Sequence, residues 1–138
     1  MAGPATHITG LGGVFFKCAD ADKTREWYTR ALRMPIDPNY GGVGFKWRDM
    51  DNPETIGQTI WSPFSGESDY FAPSKSDFMI NLRVADLDGL LKHLESEGIE
   101  RVGDVVDEVY GRFAWVIDPD GRKIELWEPK DEEENACE

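Results

Sequence analysis

The feature that most constrains this chain is an internal repeat. "FFKCADADKTREWYTRAL" reads as an apolar strand, then Ala19-Asp20, then a helix, and "INLRVADLDGLLKHLESEG" repeats that order around Ala85-Asp86. The two Asp residues are 66 positions apart. "TIWSP" and "ELWEP" each end in Trp-x-Pro, and Trp61 and Trp127 are again 66 apart. Two independent landmarks at one spacing indicate a duplicated module.

Each copy carries the same succession of periods. Val14, Phe16 and Cys18 alternate with Gly13, Phe15 and Lys17, which predicts a strand with one apolar face. Asp20 or Asp22 can cap a helix running to about Met34, with Trp27, Tyr28, Ala31 and Leu32 as its stripe onto the sheet. Pro35 and Pro38 stop it. "GGVGFKWRD" and "TIGQTIWSP" read as two further strands. In the second copy Ile80, Leu82 and Val84 share a strand face. Leu87, Leu90, Leu91 and Leu94 form a helical stripe that Gly98 ends. Strands follow near Val102–Val109, at Arg112–Ile117 and, after the turn Asp118-Pro119-Asp120-Gly121, at Lys123–Trp127. The expected organisation is a first module over residues 8–63, a linker over 64–75, a second module over 76–130 and an acidic, disordered tail over 131–138.

Composition narrows the partners. A net charge of −12 repels phosphate backbones, so nucleic-acid binding is not expected. It suits a cationic small molecule, or plain solubility. No stretch approaches the ~18–20 apolar residues of a membrane span, and "MAGPATHITG" has no basic region followed by an apolar one. The two cysteines, Cys18 in an apolar run and Cys137 near the end, suggest no disulfide framework. The expectation is a reduced, cytoplasmic protein without a membrane partner.

A duplicated strand-helix-strands module, with "VADLDGLLKHLESEGI" and "DPDGRKIELWEP" as its most specific parts, resembles the vicinal oxygen chelate superfamily, the glyoxalase, bleomycin-resistance and extradiol-dioxygenase group. The resemblance covers about residues 8 to 130. It implies an α+β fold in which two tandem βαβββ modules curve a mixed sheet into a cup around a ligand cavity, usually within a homodimer. It also implies four ligand positions for one divalent metal, on the first and last strands of each module, often His and Glu. Carried over, these are Gly13, Thr59, Met79 and Glu125. Gly offers no donor, Met is a soft ligand, Thr a poor neutral one, and one carboxylate cannot hold a catalytic dication. His7 and His93 lie elsewhere. No metal and no cofactor are therefore expected.

Strand parity fills in the cup. Lys17 and Arg83, each four residues beyond a ligand position, should share the inward face, where either could pair with Glu125. Trp61 and Trp127 have the parity of Thr59 and Glu125 and should also point inward, as should Phe15. Trp47, Phe113 and Trp115 lie on neighbouring strands. A shift of two residues would bring Asn81 or Phe15 to a key position. The expected ligand set is thus Phe15, Lys17, Trp47, Thr59, Trp61, Met79, Asn81, Arg83, Trp115, Glu125 and Trp127, with core or dimer packing as the alternative for each ring. Three readings compete. One is metal-free binding of a small aromatic or cationic compound. Another is lyase, isomerase or dioxygenase chemistry at Glu125, with or without a divalent metal. The third is a regulatory or accessory domain with no ligand.

Overall fold

The computed structural model describes residues 5–130. The elements run β1 (Ile8–Cys18), α1 (Ala21–Leu32), β2 (Val43–Arg48), β3 (Ile56–Ser65), β4 (Phe78–Val84), α2 (Leu87–Ser96), β5 (Val106–Glu108), β6 (Gly111–Ile117) and β7 (Lys123–Pro129). They form one seven-stranded mixed sheet of order β2-β3-β1-β4-β7-β6-β5, open rather than closed into a barrel. The two modules meet where β1 and β4 pair antiparallel, and each first strand lies parallel to its own last strand, β3 or β7. Seven strands stand where two four-stranded modules would give eight. In the first module the place after the helix is held only by an isolated bridge between Asp37 and Gly42.

The repeat's Ala-Asp landmark proves to be a helix start. Asp20 accepts a hydrogen bond from the Lys23 N–H at 3.1 Å, and Asp86 accepts one from the Gly89 N–H at 3.0 Å. Each satisfies one orphan donor of its helix. At α2 a second carboxylate helps, because Glu128 on β7 accepts from the Leu87 N–H at 2.7 Å. A negative charge there also suits the helix dipole.

The two helices bury unequal faces. Under α2, Val84, Leu87, Ala114 and Leu126 form a buried cluster, with Leu90, Leu91, Leu94 and Ile124 packed against it. Under α1 only part of the expected stripe reaches the sheet. Tyr28 packs on Trp61 and Phe16, at ring-centroid distances of 4.8 and 6.4 Å. Trp27 and Leu32 remain 47% and 58% exposed, contrary to their expected burial. The helix also stops two residues early. Arg33 turns into the left-handed region (φ 55°), and its N–H closes on the Tyr28 carbonyl. Cys18 is buried, as its parity predicts. The strand expected over Val102–Val109 is reduced to Val106–Glu108, and β3 continues to Ser65, inside the expected linker. The acidic tail and Cys137 lie outside the described residues. Among the described residues no helix is long and apolar enough to cross a membrane.

Leu87 is fully buried in the larger core, whereas Leu32 lies mostly in solvent. Leu87→Ala should lower unfolding free energy by about 2–5 kcal/mol. Leu32→Ala should change it by less than about 0.5 kcal/mol. Urea denaturation of the two variants checks this contrast.

Candidate functional site: a carboxylate on the floor of an aromatic cup

The concave face of the sheet encloses a cavity of about 1080 Å³. Both sheet edges contribute to it, through Val43, Gly44 and Lys46 of β2 and Val106 and Glu108 of β5. Its floor is one row of cross-strand neighbours. Gly44 pairs with Ile60, Ile60 with Gly13, Gly13 with Asn81, Asn81 with Glu125, and Glu125 with Trp115.

Glu125 is 2% exposed. A charge removed this far from water needs hydrogen-bonding partners. Asn81 Nδ2 donates to Oε1 at 2.6 Å. Trp115 Nε1 donates to Oε2 at 3.0 Å, and the Tyr70 hydroxyl donates to the same oxygen. All three donors are neutral, so neither Arg83 nor Lys17 supplies the expected salt bridge. Burial, and then the Glu125 charge, push the Tyr70 phenol well above its ordinary value. The hydroxyl therefore stays protonated as a donor. Lys123 flanks this group. It donates to the Tyr70 carbonyl at 2.8 Å and lies over the rings of Tyr70 and Trp115 at 5.3 and 5.4 Å. Burial is the main cause that lowers its ammonium pKa.

The walls are aromatic. On one side Phe15 packs on Phe64 at 5.5 Å and Phe64 stacks on Tyr70 at 5.8 Å. On the other, Phe113 lies nearly parallel to Trp115 and to Trp127, at 6.4 and 6.0 Å. Tyr40 and Tyr110 stand at the lips with Asp37 and Glu108.

Of the residues expected here, Phe15, Asn81, Trp115, Glu125 and Trp127 line the cavity. Arg83 lies beside it, 6% exposed, with its guanidinium 5.4 Å from the Trp47 ring and 5.0 Å from the Trp127 ring. Met79 is buried in β4 next to Phe15. Lys17 keeps the parity of Phe15 and pairs with Phe64, and its ammonium lies 5.4 Å from the Phe71 ring, outside the lining residues. Thr59 is corrected, since its hydroxyl donates to the Leu11 carbonyl at 2.6 Å and accepts from Trp47 Nε1 at 2.9 Å. Trp61 faces the helix, against Phe16 and Tyr28.

One cause explains the last two corrections. Val14 and Ile80 are 66 positions apart and pair with each other, so the first strands keep the sequence spacing. Their parallel partners, Trp61 and Ile124, are only 63 apart. The odd difference of three residues reverses which face a side chain takes. Trp61 thus corresponds to Ile124, and both pack toward a helix. Phe64 corresponds to Trp127, and Glu125 to Ser62 rather than Thr59. Phe64 was findable from the true spacing. Tyr70 carried no signal, because it comes from the connecting segment.

The four metal positions can now be tested on their donors. Gly13 has no side chain, Met79 is a buried thioether, and Ser62 or Thr59 offers only a hydroxyl. Both Glu125 oxygens are engaged by protein donors. Among the described residues no three His, Cys, Asp or Glu side chains converge. This donor set does not fit a divalent cation.

A duplicated sheet curved around an aromatic cavity, with a carboxylate at the centre of its floor, defines a cup-forming two-module protein. Residues 13–127 match the model of the glyoxalase-like domain, and the chain belongs to that family. Comparison with curated protein sequences finds no match. Among solved structures it is similar to methylmalonyl-CoA epimerase from Mycobacterium tuberculosis, at 23% identity over 94% of this chain and 93% of that one, with a TM-score of 0.54. It is similar to a variant of Streptomyces coelicolor methylmalonyl-CoA epimerase in complex with 2-nitronate-propionyl-CoA, at 16% identity over 88% and 97%, TM-score 0.61. A glyoxalase/bleomycin resistance protein/dioxygenase superfamily member from Vibrio splendidus 12B01 is similar at 12% identity over 86% and 98%, TM-score 0.53. At these identities the likeness is one of fold.

Two outcomes test the floor. A Cβ at Gly12 would stand 2.0 Å from Asn81 Oδ1. Gly12→Ala should therefore push Asn81 off Glu125 and cost about 1–3 kcal/mol in chemical denaturation. The second outcome concerns pH. The Tyr70 phenol titrates above its ordinary 10.0 in the folded protein. As pH rises, the unfolded chain loses that proton first. The contribution of Tyr70 is complete below about pH 10 and declines above it. Unfolding free energy should thus fall as pH rises above about 10, and fall less steeply in Tyr70→Phe.

Proposed function

We propose that this protein is a metal-independent small-molecule binder of the glyoxalase/bleomycin-resistance type, which takes a flat aromatic or cationic compound into its cup. The observation that carries this reading is Glu125, buried at the floor of an aromatic cavity and held there by Asn81, Tyr70 and Trp115. Aromatic walls with a few convergent polar groups are the usual make-up of a small-ligand site. Three carboxylates, Asp37, Glu108 and Glu125, line it against one ammonium, Lys46. Arg83 and Lys123 lie just behind the walls, so the negative charge that a ligand meets directly is that of these lining carboxylates.

The competing reading makes Glu125 a proton acceptor in a lyase or isomerase. A general base needs an oxygen free to meet the substrate proton. Each oxygen of Glu125 already accepts a hydrogen bond, and Oε1 has room for another, so the carboxylate can receive a ligand N–H as readily as a proton. The working form is proposed to be a homodimer, to which the exposed Trp27 and Leu32 would add apolar area.

Trp115 and Trp127 lie in the walls, so occupancy should change tryptophan emission. Titration with a panel of aromatic and cationic compounds should quench or shift it saturably, and dialysis against a chelator should leave the response intact. A response that needs a stoichiometric dication would overturn the reading.

A further inference from the structure

Two acceptors in the floor have capacity left over. A carboxylate can accept about four hydrogen bonds. Glu125 receives three, of which Oε1 takes one. Beside it, Asn81 Oδ1 is buried and has no hydrogen-bond partner. The Asn81 amide cannot be turned round to cure this, because its nitrogen is the group that donates to Glu125. A buried acceptor left unpaired is costly and rare. What Oδ1 faces is the space where a Gly12 side chain would stand, and Gly12 lines the cavity.

Tyr70 covers the Glu125 end of this floor from the cavity side. Tyr70 comes from the segment joining the modules and is 38% exposed. Its neighbour Phe71 is fully buried and anchors the backbone. A rotation of the Tyr70 side chain away from Glu125 would leave the Phe71 anchor in place. After that rotation, Asn81 and Trp115 still hold the carboxylate. With its ring stacked on Phe64 and its hydroxyl on Glu125, Tyr70 has the form of a ligand: a flat ring ending in a hydrogen-bond donor.

We propose that the cup selects flat aromatic cations bearing N–H donors, of the amidinium or protonated amino-heterocycle class, whose donors replace the Tyr70 hydroxyl on Glu125 and satisfy Asn81 Oδ1. This rests on the binding reading above and specifies which chemistry the site takes. A neutral donor loses the attraction of its own charge to the carboxylate, and a quaternary cation has no hydrogen to give. Ring stacking alone leaves both acceptors as they are.

Calorimetry with four probes sharing one ring separates these terms: 2-naphthamidinium, 2-naphthamide, N,N,N-trimethyl-2-naphthylammonium and naphthalene. The amidinium should bind at least tenfold more tightly than the other three. Glu125→Gln should remove most of that preference, a loss of roughly tenfold to a hundredfold. Tyr70→Phe, which lacks only the competing hydroxyl, should bind the amidinium more tightly than the wild type. Equal binding of all four probes would overturn the selectivity and leave the cup a general aromatic binder. Weaker amidinium binding by Tyr70→Phe would overturn the exchange, since the hydroxyl would then be a ligand contact. Binding of none of the four would overturn both this inference and the reading beneath it.

Discussion

The structure depends on one buried carboxylate whose direct hydrogen-bond donors are all neutral, with the Lys123 ammonium flanking them. Glu125 sits in β7 between Asn81 of β4 and Trp115 of β6, all in one row across the sheet. Two of its three donors are thus delivered by strand register itself. A slip of one residue in either pairing would turn those donors to the other face and leave a carboxylate alone in an apolar cup. Fold and site are in this sense one constraint. The core under α2 fixes β7, and β7 fixes the carboxylate.

This coupling also explains how far the sequence could be read. The duplication, the element types and the two helix caps are local signals, and they survive in the structure at Asp20 and Asp86. The facing of the last strands is not local. It depends on how many residues each module spends between helix and final strand, and the two modules differ there by three. The Trp-x-Pro landmarks share the 66-residue spacing of the caps without occupying equivalent places in the sheet. A parity argument built on them put Trp61 inside the cup, whereas the same argument applied to Glu125 and Trp127 holds.

Other differences have separate causes. The stripe of α1 is legible as a helix but not as a buried one, because how much of Trp27 and Leu32 is covered depends on the sheet beneath them. That sheet lacks a full strand beside the Asp37–Gly42 bridge. Tyr70 was illegible for the opposite reason. Its segment has no period, and only the three-dimensional return of the linker over β7 brings the phenol to Glu125. Local sequence also could not show that Gly12 must be glycine, since the atom that forbids a side chain there belongs to Asn81, far along the chain.

The row across the floor shows what duplication has left to each half. From the first module come Gly44, Ile60 and Gly13, with no polar side chain among them. From the second come Asn81, Glu125 and Trp115, an acceptor with two of its donors. A chelating site needs donors from both halves converging on one point, and the first module's polar lining residues, Asp37, Lys46 and Gln58, lie outside this row. An ion would meet a single carboxylate already engaged by its neighbours. A flat organic molecule would meet rings from both sides, Phe15 and Phe64 on one and Phe113, Trp115 and Trp127 on the other, with Asn81 and Glu125 on the floor. The division of polarity along this row leaves a point charge with one carboxylate in place of a converging donor set, on the same sheet that a chelating relative would use.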